Sequence, residues 1–160
     1  MARTVSSLSS LEKEISRRIN VALNGDIKDS VEECLEKHVQ TDVLSAYSPK
    51  VYERRGGDGI EGKENIQSTV RDRTLTVKNV AKLEGPRIEG FKASRASSTE
   101  FSKLLEGQGK GVANIWGSPS SAGYLKPRRF VTNTKEEISN PGSKAHQKII
   151  NAIKNQFPES

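Results

Sequence analysis

The sequence predicts an α+β fold, in which a long N-terminal amphipathic helix and a C-terminal helix pack on a small antiparallel sheet. Apolar residues near the start recur every three or four positions, which is the period of one helix face. Two short alternating segments flank a two-residue turn, which is typical of a β-hairpin. A second apolar stripe near the end predicts another helix. The 160 residues fit one domain, residues 1–160.

The first predicted helix carries one continuous apolar stripe. Ser9 followed by Glu12 forms a capping-box pattern, which predicts that the helix begins there. Gly25 is the weak point, because glycine costs about 1 kcal/mol inside a helix, and we expect a kink or break at Asn24-Gly25. The heptad alternation of a coiled coil is missing. The stripe consists of Leu8, Leu11, Ile15, Ile19, Leu23, Ile27, Val31, Leu35 and Val39.

Two strands are predicted after a glycine-rich loop. Residues 64–71 and 74–82 alternate apolar and polar side chains, as half-buried strands do. Asp72-Arg73 between them suits a hairpin turn. The preceding loop, residues 54–62, is predicted to be mobile in the isolated subunit and ordered only against neighbours.

The chain then passes through an extended connection, predicted at residues 84–99. Thr99 is the predicted cap of a short helix at residues 100–106. Residues 107–123 hold five glycines, a proline and the lone Trp116, and are predicted to form a long mobile loop. Long loops in small domains are commonly functional.

The last two predicted elements are a short strand and a helix. Arg128–Thr132 is predicted as a strand, because Pro127 restricts Lys126 to extended geometry. Ser143 is the predicted N-cap of the final helix, and Pro158 stops it. The apolar face of this helix is predicted to contain Ile149, Ile150, Ile153 and Phe157.

Composition indicates a thin core and a basic body. Hydrophobic residues make up 32% of the chain, and adding the 13 glycines leaves it below the roughly 45–50% of ordinary globular domains. The net charge is +6, with −3 over residues 9–44 and +8 over residues 45–160. A thin core can be supplemented by burial against neighbouring subunits, and the acidic helix and basic body could complement each other between subunits. No apolar run is long enough for a membrane span, and no secretion signal is expected.

No catalytic, cofactor-binding or metal-binding residues are predicted. The run Gly107-Gln-Gly-Lys-Gly111 looks like a fragment of a phosphate loop, but it follows a short helix and opens none. Cys34 and His38 lie one helical turn apart, and two ligands are too few for a metal site. A lone cysteine excludes an intrachain disulfide, and the helix carboxylates are predicted to form a solvated face. We therefore expect no enzyme and no cofactor.

Two arginine pairs, Arg54-Arg55 and Arg128-Arg129, could hold phosphates. Aromatic residues make up only 5% of the chain, so stacking platforms for single strands are scarce. A basic nucleic-acid-binding module is therefore an alternative, and salt-dependent DNA retention would test it. Arginine is equally suited to protein interfaces.

Three short motifs follow one another in the second half of the sequence. Leu104-Leu105-Glu106-Gly107 precedes Lys126-Pro-Arg-Arg-Phe130, which precedes Thr132-Asn-Thr-Lys-Glu-Glu-Ile138. Together they resemble the "apolar-apolar-Glu-x-Gly … Arg-Pro-Arg-Pro-Phe … Glu-Glu-Leu" signature of neck, or tail-completion, proteins of long-tailed bacteriophages. Earlier, Tyr52-Glu-Arg-Arg-Gly56 and Glu64-Asn-Ile66 look like the "Tyr-x-Arg-Arg-Gly … Asn-Ile" segment of the Gram-positive phage branch.

The match has two departures. Arg129 stands where the family has its second proline, so the local backbone is expected to differ. Asn140-Pro-Gly142 interrupts the stretch that normally leads into the last helix, so that helix is expected to be split.

The resemblance implies a structural virion subunit rather than an enzyme. Such subunits assemble as a homo-oligomeric ring at the head–tail junction, between the head-closure or connector protein and the tail terminator or tail tube. Viral DNA passes through the channel without sequence-specific binding. The protein would be assembled in the host bacterial cytoplasm and end in the virion. A tail terminator or a minor capsid protein on a similar fold is the alternative within the virion.

The resemblance and the residue types together give candidate interface residues and structural anchors. Arg54, Arg55, Trp116 and Arg129 are candidates for subunit or partner interfaces, since a lone tryptophan in a glycine-rich loop suits an interface anchor. The alternative is that the loop folds back and buries Trp116 locally. Phe130 is predicted as an apolar anchor against the N-terminal stripe, and Arg128 is expected to share its side and pair with Glu106.

Overall fold

The fold is α+β, as the sequence predicts. The computed structural model describes residues 7–46, 59–81, 102, 105–106 and 127–158. The chain divides into two compact units, one of residues 1–34, 68–77 and 137–160 and the other of residues 35–67 and 78–136. The elements in chain order are α1 (Leu8–Asn24), α2 (Asp26–His38), a π-helical turn (Val39–Leu44), a 3-10 turn (Lys63–Asn65), β1 (Ile66–Arg71), β2 (Thr74–Asn79), α3 (Phe130–Ser139) and α4 (Lys144–Gln156).

The first helix begins earlier than predicted. Ser7, not Ser9, is the N-cap: its hydroxyl accepts a hydrogen bond from the Ser10 amide at 3.2 Å, and the Ser7 amide donates to the Ser10 hydroxyl at 3.1 Å. Ser10 thus takes the part that the sequence analysis gave to Glu12. A capping box needs an acceptor at its fourth position, and a serine hydroxyl supplies one as a glutamate would.

The helix breaks at Asn24-Gly25, where the sequence allowed either a kink or a break. α1 ends at Asn24, and the Gly25 amide donates to the carbonyls of Val21 and Ala22 at 3.1 and 3.3 Å. The helix resumes at Asp26, where two aspartates in the first turn of α2 complement the positive end of the helix dipole. At its far end α2 continues into the π-helical turn, in which Val39 and Val43 are buried.

The first unit has an apolar core made by three helices and the hairpin. Ala22, Ile27 and Ala152 are buried together, and Leu23, Val31, Leu75 and Ile149 pack against them. α4 runs antiparallel to the α1–α2 direction, because its end reaches Arg18 while Lys148, near its start, pairs with Glu33. The predicted one-sided face of α4 is only partly right: Ile149 contacts the core, while Ile153 and Phe157 are exposed.

The hairpin is shorter than predicted but has the predicted turn. β1 and β2 form a two-stranded sheet, with alternate side chains half-buried and exposed. Asp72 and Arg73 both have positive φ, 47° and 61°. Two left-handed residues in a row define the type I′ turn, whose twist matches that of the strands.

The turn gives a first prediction: Arg73→Gly should stabilise the protein by about 0.5–1 kcal/mol. A left-handed conformation is strained for a residue with a Cβ and free of strain for glycine. Urea denaturation of both proteins measures the difference. As a matched control, Thr76→Gly on the exposed face of β2 should lower stability. Glycine raises the conformational entropy of the unfolded chain, and at this strand position it relieves no backbone strain.

The base of the hairpin belongs to the second unit and holds the segment before it. The side-chain amides of Asn65 and Asn79 donate to the carbonyls of Gly59 and Ile60, each at 2.7 Å. Ile60 is buried. Residues 59–62, which were predicted to belong to a mobile loop, are therefore anchored, because two asparagine side chains satisfy carbonyls that a loop would leave to water.

The predicted strand at Arg128–Thr132 is wrong, because α3 begins at Phe130. The Thr134 hydroxyl bonds to the carbonyl of Phe130 at 2.7 Å within this helix. The predicted split before the last helix is confirmed: α3 ends at Ser139, and the Ser143 hydroxyl caps α4 by accepting from the His146 amide at 3.0 Å. The connections predicted at 84–99 and 107–123, and the cap Thr99, lie outside the described residues.

Candidate functional site

The two halves of the signature meet at one corner of the second unit. Ser102 and Leu105 are helical, and the Glu106 amide bonds to the Ser102 carbonyl at 3.0 Å. The Arg128 amide donates to the Leu105 carbonyl at 2.6 Å. Two residues 23 positions apart in the sequence are therefore joined by a backbone hydrogen bond.

The carboxylate of Glu106 caps α3. One oxygen accepts from the amides of Val131 and Thr132, at 2.6 and 3.4 Å, and the other accepts from the Thr132 hydroxyl at 2.6 Å. Glu106 is only 9% exposed. The first amides of a helix have no partner within it, and the dipole favours negative charge there. A glutamate distant in sequence thus performs the task of a local N-cap.

Phe130 begins α3 and is the most buried side chain described, at 0% exposure. Leu105 from the other half of the signature is buried as well. The corner therefore combines an apolar anchor with a satisfied buried carboxylate, which is the only inexpensive way to bury a charge.

A second carboxylate, Asp42 on the π-helical turn, also holds α3. Its Oδ2 accepts from the Asn133 amide at 2.9 Å and lies 2.7 Å from Nδ1 of His38, and its Oδ1 accepts from the Thr41 hydroxyl at 3.0 Å. Cys34, His38 and Asp42 follow at four-residue intervals, and Cys34 is buried. Asn133 is part of the third motif, so this motif also fixes the helix.

The environment of Asp42 sets its pKa. Partial burial tends to raise the pKa, but the hydrogen bonds from Asn133, His38 and Thr41 outweigh it and hold the pKa of Asp42 below its usual value. A carboxyl with a lowered folded pKa contributes stability that is complete above its unfolded pKa, about 3.9, and is lost as pH falls through the folded value.

We therefore expect the free energy of unfolding to decrease as the pH is lowered below about 4. This decrease should be less steep in Asp42→Asn than in the parent protein. Urea denaturation at a series of acidic pH values measures the two slopes. Asp72→Asn, in the exposed hairpin turn, is the control and should keep the slope of the parent. Equal slopes for Asp42→Asn and the parent would remove Asp42 from the acid response.

The predicted site residues fall into two groups. Arg129 is exposed immediately before α3, Arg128 is half-buried, and Glu106 and Phe130 are buried. Arg54, Arg55 and Trp116 lie outside the described residues. The structure thus brings together the predicted anchors, and the interface roles of the other residues stay predictions.

The predicted partner of Glu106 needs correction. Its carboxylate bonds to the amides and hydroxyl at the start of α3 rather than to Arg128. A helix, α3, forms where a strand was predicted. Its first turn directs the amides of Val131 and Thr132 and the Thr132 hydroxyl toward Glu106. Phe130, Thr134 and Ile138 recur at four-residue steps, and this helical period was the signal that could have revealed the helix.

The corner and the hairpin belong to a small α+β protein, and the signature residues that the structure describes make structural contacts. A family model for YomN matches residues 7–158, and the chain belongs to the YomN family. The family takes its name from a gene in a phage region of Bacillus, which indicates a phage origin for this chain. Searches of curated proteins and of solved structures found no significant match. Within the described ranges, no helix has the length and apolarity needed to cross a membrane.

Proposed function

We propose that this chain is a structural virion subunit that forms a ring at the head–tail junction of a tailed bacteriophage. The ring joins the head connector to the tail and leaves a channel for DNA. The observation that carries the proposal is the Glu106 corner, where separate motifs of the neck-protein signature meet in one hydrogen-bonded arrangement. Chance matches to short motifs have no reason to coincide in space. The phage origin of the family supports the same reading.

The corner also suggests how a partner is engaged. It bonds Leu105 to Arg128, and these two described residues flank the glycine-rich stretch of sequence 107–126, which carries Trp116. A segment with fixed ends loses less chain entropy on binding than a free tail, because part of the ordering is already complete. Trp116 is then the anchor on the partner, and the exposed Arg129 beside the same base is a rim contact.

Disrupting the gene in its phage tests the proposal. Electron microscopy of lysates should show DNA-filled heads and finished tails that remain separate. Complementation with the parent gene should restore joining, whereas Trp116→Ala should restore it poorly although the purified variant stays folded. Lys135→Ala is the control, because this exposed side chain on α3 lies outside the segment.

The other outcomes point elsewhere. Tails of irregular length in the disrupted phage would indicate a tail terminator, and empty or malformed heads would indicate a capsid role. Normal particles would contradict any structural role in the virion.

A further inference from the structure

The first unit exposes a row of large apolar side chains on α1. Leu8, Leu11 and Ile15 continue the helix face that is buried further along at Ala22, and Leu8 is 88% exposed. Ile153 on α4 and Phe157, the residue that caps its C-terminus, are exposed about one turn apart. Single exposed apolar residues are ordinary, but five large ones on two packed helices indicate an interaction surface.

These α1 side chains are exposed because α4 ends before it reaches them. The Arg18 guanidinium donates to the Gln156 carbonyl at 2.9 Å and lies 5.8 Å from the centre of the Phe157 ring, so the end of α4 stands beside Arg18. The eleven residues from Leu8 to Arg18 span ten steps of the helix and therefore extend about 15 Å past the partner helix. We call Leu8, Leu11 and Ile15 the α1 row, and Ile153 and Phe157 the α4 flank.

The α1 row is an exposed apolar helix face that continues the face covered by α4 further along the chain. The α4 flank is an exposed apolar surface on the same chain, and it could cover the α1 row of another copy. One exposed charge beside the α1 row is opposite in sign to one beside the α4 flank. Glu12 follows Leu11 and Lys154 follows Ile153, both are exposed, and neither has an ion-pair partner within the described part of the chain. An opposite pair at the rim gives register and orientation to an apolar contact.

We infer that the α1 row binds the α4 flank of a second copy of this chain, with Glu12 facing Lys154. The contact joins two different surfaces, so the reciprocal pair of surfaces either closes with the same neighbour, as a two-fold dimer, or is left for the next copy, as in a ring. This inference rests on the proposed function for its ring geometry, and it names the surfaces that would make the ring.

Charge reversal tests the pairing. Glu12→Lys and Lys154→Glu should each weaken self-association of the full chain at least about fivefold in sedimentation velocity. Mixing the two variants should restore association, because each then meets an opposite charge. Leu8→Ser should weaken it by about tenfold or more, since Leu8 would lose its burial at the contact. Circular dichroism checks that each variant is folded.

The controls separate this inference from the proposed function. Lys135→Glu, exposed on α3, should leave association unchanged. A parent chain that stays monomeric at high concentration, or single reversals without effect, would overturn the inference while leaving the phage phenotype to decide the function. Restored association in the mixture alongside normal particles in the disrupted phage would support the contact and refute the junction role.

Discussion

Replacing Phe130 by alanine is expected to lower the free energy of unfolding by about 3–5 kcal/mol. Phe130 is completely buried at the start of α3, so the change removes a large apolar contact and leaves a cavity that the corner can close only in part. Since domains are stable by about 5–15 kcal/mol, a large share of the stability would be lost. Urea denaturation of parent and variant measures the change.

Phe157→Ala is the matched control, because the same side chain is removed where it is 37% exposed. Its smaller buried area should limit the cost to about 1–2 kcal/mol. A conservative Phe130→Leu, which keeps most of the volume, should fall between the two. Equal costs for Phe130→Ala and Phe157→Ala would mean that burial at the corner does not support the fold.

Local patterns were sufficient for the elements whose signals lie within a few residues. The stripe of α1 and α2, the Gly25 break and the Asp72-Arg73 turn all follow from periodicity and backbone preference, which neighbouring residues determine. The capping box was misplaced by two residues, because serine at two positions offers equivalent local bonds and only the structure selects between them.

The corner could not be derived in the same way. Its cap, Glu106, is 25 residues from Val131, and no local rule connects a carboxylate to amides so far along the chain. The family resemblance did couple the two motifs, but the assumed strand led to the wrong partner. The sequence was sufficient to single out Glu106 as a buried charge. The fold determined which hydrogen-bond donors contact its carboxylate.

The interface residues are the hardest to predict, because a lone aromatic or arginine has the same local signal in a core, at a rim or in solvent. The exposed apolar residues of α1 show the difficulty. Leu8 and Ile27 belong to the same sequence stripe, yet Leu8 is exposed and Ile27 is buried with Ala152 of α4, since α4 ends beside Arg18. Where a partner helix ends is a property of packing, and sequence periodicity does not record it.

Glu106→Ala is expected to cost about 2–3 kcal/mol of unfolding free energy. The change removes the acceptor for two amides and one hydroxyl at the start of α3 and takes a negative charge from the helix N-terminus. Donors that lose their partner in a buried place cost more than the bond itself contributes. Amide exchange should show the loss locally, as faster exchange at Val131 and Thr132.

Two further variants separate the causes. Glu106→Gln keeps one acceptor oxygen for the amides, and the Thr132 hydroxyl can reverse and accept from the new amide group. It should therefore cost only about 1 kcal/mol, which is the share of the helix dipole. Glu136→Ala, exposed on the same helix, should change stability by less than about 0.5 kcal/mol. If Glu106→Gln is as damaging as Glu106→Ala, the charge rather than the hydrogen bonds holds the corner. If neither variant changes the exchange at Val131 and Thr132, Glu106 does not cap α3, and the spatial coupling of the two motifs loses its energetic basis.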